Sequence, residues 1–330
     1  MRRQWLFSTC AVTLLGMSTI GSAEEPVEIR FAVEYSADIL PGQANRAFAD
    51  RIDELSDGRI TVDYLPDGSL YSGQDLLLAN LRGDVDMTTL VSIYWTGISE
   101  KLGVLELPFA FPTHESFYAA VDDPNFLTDI FSEVEGNGAV VLGALPYSYV
   151  YPGSASGPMR TPEEFNGESL RAIGQMNRST LSSFGADPNS INITELAGAI
   201  QQGVVDGLNT PLDAWQAYSF YEDIQDITLL DYQFVFYPWT VNADWWESLS
   251  DTDQRLIQEA VDDVTNNYRA IAREQIQDSK EYLERQGVKF HEPTPSQKSK
   301  FRAAVEPQWE SFRRNVSAEA VELIEQFSNN

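Results

Sequence analysis

The stretch Val27-Glu28-Ile29-Arg30-Phe31-Ala32-Val33 alternates apolar and other residues, which is the period of a half-buried strand. Apolar residues over 44–55 then fall on one helical stripe, and residues 60–64 alternate again as a second strand. A short apolar helix is predicted over 75–81. This order of strand, helix, strand and helix predicts an α/β lobe in which helices pack on a sheet.

A second group of residues extends this pattern. The sequence Gly203-Val204-Val205-Asp206 closes a predicted helix, as Gly83-Asp84-Val85-Asp86 does earlier, and the pair suggests two lobes of related construction. Residues 252–286 form the longest helical pattern, with Ser250 as its cap and Gly287 just past its end. A helix of that length would extend about 50 Å at 1.5 Å per residue. We therefore expect it to run across both lobes, although two helices with a bend would fit the same pattern.

The first 23 residues are typical of a secretory signal. Arg2 and Arg3 are basic, residues 5–20 are largely apolar, and Gly21-Ser22-Ala23 supplies small residues for cleavage after Ala23. A membrane anchor is the alternative, but a span needs about 20 predominantly apolar residues. The paired arginines also leave the twin-arginine export route open beside the general one. We expect the mature protein in the periplasm, without Cys10, the single cysteine of the chain.

The composition excludes several classes of protein. Fifty acidic residues stand against 22 Lys and Arg, a formal charge of −28, so nucleic acid would be repelled. Such acidity is typical of proteins from salty environments, where ions screen the self-repulsion. With two histidines and no mature cysteine, no metal site or cofactor motif can be assembled. Residues 153–157 resemble a nucleophile elbow, but the central residue is Ala155, so we expect no catalysis.

Two features point to a ligand cleft. Aromatic residues make up 12% of the chain and crowd the predicted strand ends, where some would form cleft walls. Arg171 lies on a predicted strand that is reached through a turn after Thr161-Pro162. Composition alone would favour an ordinary strand-edge arginine with a salt bridge.

Several weak motifs, taken in order, resemble the extracytoplasmic binding proteins of tripartite ATP-independent periplasmic (TRAP) transporters, of the DctP type. The resemblance covers nearly all of the mature chain and is carried by Phe48 with residues 57–60, Gly73, 83–87, 162–171, 202–207 with Pro211, and 241–250. It implies a two-lobed α/β fold like that of type II periplasmic binding proteins, with hinge strands and a long lobe-spanning helix. The lobes would comprise residues 24–148 with 237–276, and 149–236 with 277–330.

The resemblance also implies a role and a site. Arg171 would pair with a ligand carboxylate, whose planar shape fits a guanidinium, and the membrane subunits of a TRAP permease would be the partner of a monomeric binding protein. The family commonly shows Asp-Gly-Gln-Glu-Asn-Pro where this chain has 206–211, Asp-Gly-Leu-Asn-Thr-Pro. The ligand-contacting asparagine therefore aligns with Thr210, and Asn209 lies one residue early. A second arginine found in sialic-acid-binding members is missing near Tyr151, which disfavours a large acidic sugar.

Three features favour one ligand class, namely an acidic residue, an aromatic wall and the missing second arginine, although Glu34 would also be explained as one more surface acid of this acidic chain. Glu34 lies at the end of the first predicted strand, where such folds place ligand contacts. With an aromatic wall of Tyr35, Trp95, Trp215 and Phe234, it favours a small amine-bearing solute, a zwitterion or an amino alcohol. A small carboxylate such as a dicarboxylate or keto acid is the alternative, and a secreted hydrolase or lyase is the competing class. The candidate binding residues are Glu34, Tyr35, Tyr94, Trp95, Tyr149, Arg171, Asn209, Thr210, Trp215 and Phe234.

Overall fold

Two β-sheets, each covered by helices, form the frame of the chain. A computed structural model describes residues 25–328, except for the side chains of 124, 127, 128, 133 and 135. The strands are β1 Val27–Ala32, β2 Ile60–Leu65, β3 Met87–Thr88, β4 Ala139–Tyr149, β5 Tyr151–Ser154, β6 Ser169–Ala172, β7 Asp187–Ser190, β8 Gly207–Thr210, β9 Asp226–Thr228, β10 Phe234–Asn242 and β11 Lys289–His291. The first sheet has the order β2-β1-β3-β10-β4, and the second has the order β11-β9-β5-β8-β6-β7.

Twelve α-helices occur within the described residues. They are α1 Leu40–Leu55, α2 Gly73–Arg82, α3 Ser92–Trp95, α4 His114–Val121, α5 Pro124–Glu135, α6 Gly174–Phe184, α7 Ile193–Gln201, α8 Leu212–Ala217, α9 Ala243–Ser248, α10 Asp251–Arg285, α11 Pro295–Asn315 and α12 Ala318–Ser328. Short 3-10 helices cover Glu100–Glu106, Pro162–Phe165 and Phe220–Glu222. The predicted α/β class is confirmed, as are the strands and helices predicted at the start of the chain.

The first sheet follows from its alternating residues. Strand β1 pairs in parallel with β2 and β3, while β10 runs antiparallel to β3 and β4. Phe31 of β1 is fully buried, and its ring lies 5.9 Å from that of Phe48 on α1 and 6.0 Å from that of Trp239 on β10. Ring pairs at such distances stabilise a core by about 0.5–1.5 kcal/mol each beyond the burial of area. The helical stripe over 44–55 therefore packs on the face of the first sheet that carries the buried Phe31, as the alternation of β1 predicted.

Two strand passages join the sheets. Strand β4 of the first sheet continues through Val150 into β5 of the second, and β9 of the second sheet leads back to β10 of the first. At the crossing, the Val150 amide donates to the Gln233 carbonyl at 3.0 Å. These passages are the crossing strands expected of a hinged, two-lobed protein. The exact residue boundaries of the lobes stay a prediction.

The long helix α10 is continuous over 35 residues, so the alternative of two bent helices is wrong. The Ser250 hydroxyl accepts from the Asp253 amide at 3.1 Å, and Gly287 beyond the end has φ +95°. Helix α10 packs on α1 and β4 of the first sheet, and its end leads into β11 of the second. It therefore spans both lobes, as predicted. Across residues 25–328 no helix has both the length and the apolar character to cross a membrane; the predicted signal, residues 1–23, lies outside the described residues.

Candidate functional site

A small cavity lies where the crossing strands pass between the sheets. Its volume is about 60 Å³, and its wall draws on elements of both sheets. Two side chains in the wall carry opposite charges, four are amides or hydroxyls, four are tyrosines and most of the others are branched aliphatic residues: Glu34 and Arg171; Asn177, Asn209, Thr210 and Gln233; Tyr35, Tyr147, Tyr218 and Tyr237; Ile39, Val91, Ile93, Val150, Ile173, Ile193 and Val235. This mixture suits a small ligand with polar ends and an apolar body.

Arg171 holds the positive charge of this cavity. It lies on β6, its residue is 4% exposed, and its Nε donates to the Ile191 carbonyl at 3.0 Å. Burial lowers the pKa of the guanidinium, while Tyr94 and Glu34 act in the opposite direction. Among the described residues no carboxylate lies within 4.0 Å of its nitrogens. Its terminal nitrogens therefore keep donors for a ligand carboxylate, since one guanidinium has five N–H groups.

Glu34 holds the negative charge and follows β1, as the sequence predicted. Its Oε2 accepts from the Gly73 amide at 2.8 Å and from the Tyr94 hydroxyl at 3.5 Å. Burial raises the pKa of this carboxyl, and the Gly73 amide and the charge of Arg171 oppose that rise. A carboxylate has about four acceptor positions, so Glu34 can accept further donors from a ligand.

Asn209 and Thr210 both reach the cavity from β8. Asn209 donates through Nδ2 to the Tyr232 hydroxyl. Its Oδ1 is buried and has no hydrogen-bond partner among the described residues. A buried acceptor without a partner costs about 1–3 kcal/mol, so this oxygen favours a ligand that brings a donor.

The aromatic residues divide between cavity and core. Tyr35 lines the cavity, but Trp95, Tyr149, Trp215 and Phe234 do not; the structure buries all four in a separate hydrophobic cluster. Strand alternation explains Phe234, because successive side chains of β10 point to opposite faces. Val235 and Tyr237 face the cavity, while Phe234 stacks on Phe117 with ring centres 4.3 Å apart.

The other three are held by hydrogen bonds or packing away from the ligand space. The Trp215 Nε1 donates to the Thr210 carbonyl at 3.2 Å, and the Tyr149 hydroxyl donates to the Phe111 carbonyl at 2.8 Å. Trp95 is 1% exposed in the core. The predicted aromatic wall is therefore formed mainly by other rings, those of Tyr147, Tyr218 and Tyr237, together with Tyr35.

Sequence reasoning missed further cavity residues. Gln233 and Asn177 form a hydrogen bond of 2.6 Å at the cavity wall, and Asn177 also donates to the Tyr232 hydroxyl at 3.1 Å. The alternation of β10 was a usable signal for Tyr237, because residues two apart on a strand share a face and Val235 also lines the cavity. No comparable signal marked Asn177 on α6. Tyr94 lies beside the cavity, where its hydroxyl contacts Glu34 and Asn192.

The charged and polar groups of the cavity wall can bind a ligand through ion pairs and hydrogen bonds. Within residues 25–328, no group of three or more His, Cys, Asp or Glu side chains is placed to hold a metal ion. Two α/β lobes joined by crossing strands, with a charged cavity between the sheets, are the architecture of a solute-binding protein.

The family model for bacterial extracellular solute-binding protein family 7, DctP, matches residues 31–315. The chain belongs to this family, so the resemblance found in the sequence is confirmed, and family members of this kind bind solutes and are not enzymes.

Three similar proteins illustrate the range of the family. The C4-dicarboxylate-binding periplasmic protein DctP of Rhodobacter capsulatus is 22% identical over 329 residues, which cover 98% of each chain. The ectoine-binding periplasmic protein TeaA of Halomonas elongata is 24% identical over 268 residues, 79% of this chain and 76% of that protein. The sugar-acid-binding protein DctPAm of Advenella mimigardefordensis, solved with galactonate, superposes with a TM-score of 0.89 at 24% identity, covering 92% of this chain and 98% of that chain.

Proposed function

We propose that this protein captures a small zwitterion in the periplasm and delivers it to the membrane subunits of a TRAP permease. The ligand carboxylate would bind Arg171, and its ammonium group would bind Glu34. The single observation that carries this proposal is the presence of both charged side chains in the wall of one cavity, each with unused hydrogen-bonding capacity.

Charge balance supports the zwitterion. A buried charge without a partner is costly, and breaking a buried pair costs about 3–5 kcal/mol. An amine-free acid would satisfy Arg171 but leave the Glu34 carboxylate facing a second negative group. An amino alcohol would satisfy Glu34 but leave Arg171 without a carboxylate. A zwitterion satisfies both, and its ammonium also offers a donor to Asn209 Oδ1.

Cavity size supports a small ligand. The cavity volume of about 60 Å³ exceeds the roughly 10–15 Å³ that a single water needs, so the cavity can hold a small organic molecule. A compact zwitterion such as L-alanine, with six non-hydrogen atoms, suits a small cavity better than a sugar acid does. The branched aliphatic residues of the wall would contact its methyl group.

Calorimetry with two matched compounds tests the proposal. L-Alanine and pyruvate share three carbons and a carboxylate, and they differ by an ammonium group against a keto oxygen. We expect the protein to bind L-alanine and to reject pyruvate. Arg171→Gln should weaken L-alanine binding by about 10- to 100-fold, because a charged hydrogen bond is worth about 1.5–3 kcal/mol. Glu34→Gln should weaken it as well.

A small carboxylate is the second candidate, and the relative named for C4-dicarboxylate binding favours it. It requires Glu34 to be protonated, which its raised pKa assists. Pyruvate or succinate binding would then weaken as the pH rises, and Glu34→Gln would bind these acids at least as well as the parent. That pair of results would replace the zwitterion by an amine-free acid.

A further inference from the structure

Tyr94 and Asn192 meet across the cleft from opposite lobes. Tyr94 lies on α3, which follows β3 of the first sheet, and Asn192 lies between β7 of the second sheet and α7. The Tyr94 hydroxyl donates to Asn192 Oδ1 at 3.1 Å. Neither side chain lines the inner cavity; both line the adjoining outer groove, which shares Ile93 and Ile173 with the cavity. The pair therefore stands between the ligand space and the outside.

Each partner is also tied to one of the two charged cavity residues. The Tyr94 hydroxyl lies 3.5 Å from Glu34 Oε2, so its proton is shared between Glu34 and Asn192. On the other side, Arg171 Nε donates to the carbonyl of Ile191, the residue that precedes Asn192. Glu34 and Arg171, which would bind the two ends of the ligand, are thus each connected to one side of the Tyr94–Asn192 contact.

A glycine lies at the contact between the lobes. The Gly73 amide donates to Glu34, and its φ of +54° is a conformation that favours glycine. A Cβ at this position would lie 3.1 Å from Asn192 Oδ1 and 3.2 Å from Asn192 Nδ2. The side chain of Asn192 therefore packs directly on the backbone that holds Glu34.

From these contacts we infer that Tyr94 and Asn192 are positioning residues that fasten the lobes together and hold Glu34 and Arg171 in their binding geometry, without themselves contacting the ligand. The inference rests on the proposed function for the roles of Glu34 and Arg171. A ligand that orders these two residues would strengthen the Tyr94–Asn192 contact, and the contact would in turn slow ligand release.

Spin labels can test the contact directly. Residues 24–330 contain no cysteine, so Leu78→Cys on α2 and Val204→Cys after α7, both exposed positions, give one label on each lobe. The distance between the two labels is measured by pulsed electron paramagnetic resonance in the parent protein and in the variants Tyr94→Phe and Asn192→Ala. Asn192 makes no side-chain cap to α7, so its removal should leave that helix intact. Tyr221→Phe is the matched control, because its hydroxyl pairs with Tyr282 outside the cavity.

We expect a short-distance population in the ligand-free parent and in Tyr221→Phe, and a smaller one in Tyr94→Phe and Asn192→Ala. Stopped-flow measurements with whichever of L-alanine and pyruvate the parent binds should show about three- to tenfold faster release from both cleft variants, as expected for one net hydrogen bond. Unchanged distances and release rates in folded variants would overturn the inference, as would a ligand-free parent without the short distance. A parent that binds neither compound would count against the proposed function alone, because the ligand-free distances still test the contact.

Discussion

Replacing the buried carboxyl of Glu106 should make the protein more stable in a pH-dependent way. Glu106 ends the 3-10 helix Glu100–Glu106 and is 1% exposed. It accepts hydrogen bonds from the Ser92 hydroxyl and, at 2.6 Å, from Gln233 Nε2. Burial raises its pKa from 4.5 to about 7, although both hydrogen bonds oppose the rise. Glu106→Gln keeps the volume and an acceptor for Gln233 while removing the charge.

The size and sign of the effect follow from this pKa. The folded state holds the proton more tightly than the unfolded state, so ionisation opposes folding. The penalty is absent below about pH 4.5, grows as the pH rises to about 7, and is complete above that. A change from 4.5 to about 7, at 1.36 kcal/mol per pH unit, is worth up to about 3 kcal/mol. Glu106→Gln should therefore be more stable than the parent at pH 8 and nearly equal to it at pH 4.5.

Urea unfolding at pH 4.5 and pH 8, followed by tryptophan fluorescence, measures this difference. The helices packed against the 3-10 helix of Glu106 also carry exposed charged residues, such as Arg178 of α6, Asp129 of α5 and Glu322 of α12. None of these is among the groups that shift the pKa of Glu106. Glu322→Gln is thus a suitable control, with little change at either pH. A stability gain for Glu106→Gln that is absent at pH 8, or equal at both pH values, would refute the reasoning.

Three other outcomes are expected. Ser250→Ala removes the cap of α10 and should lower the free energy of unfolding by about 1 kcal/mol, measured by urea titration; no change would show that the long helix does not need its cap. Gly207→Ala would place a Cβ 2.2 Å from the Gly153 carbonyl oxygen and should lower the melting temperature through a forced shift of β8 against β5, a cost of about 1–3 kcal/mol or more; an unchanged melting temperature would contradict this. N-terminal sequencing of periplasmic protein should begin at Glu24, and a chain that retains Met1 would disprove cleavage after Ala23.

Periodicity was a sufficient guide to much of the fold. The apolar spacing over 252–286, with Ser250 before it and Gly287 after it, carries the local information that a capped helix needs, and α10 follows those limits within one or two residues. The alternation over residues 27–33 likewise predicted β1, because a strand with one buried face must repeat every second residue. Such signals are local, so they survive without knowledge of the tertiary structure.

The site depended on information that is not local. The sequence placed Arg171 and Glu34 at strand positions, and both lie in the cavity wall; their binding roles stay a prediction. Trp215 and Phe234 are candidate binding residues in an aromatic-rich sequence, and residue type alone does not distinguish a core ring from a cavity ring. The two groups differ only in the face to which each side chain points, on β10 for Phe234 and on α8 for Trp215. Asn192 had no signal, because its contact with Tyr94 exists only once the lobes meet.

The crossing strands have a mechanical consequence. Val150 and Gln233 are hydrogen-bonded to each other between the two passages, and both line the cavity, so a ligand would sit at the fulcrum of the lobe motion. Tyr94 and Asn192 lie outside the cavity, beside the outer groove. A ligand slightly too large would wedge the lobes apart near the pivot, and the gap would widen with distance from it. An error of fit inside the cavity would then be enlarged at the outer pair, so the protein would discriminate among ligands by size.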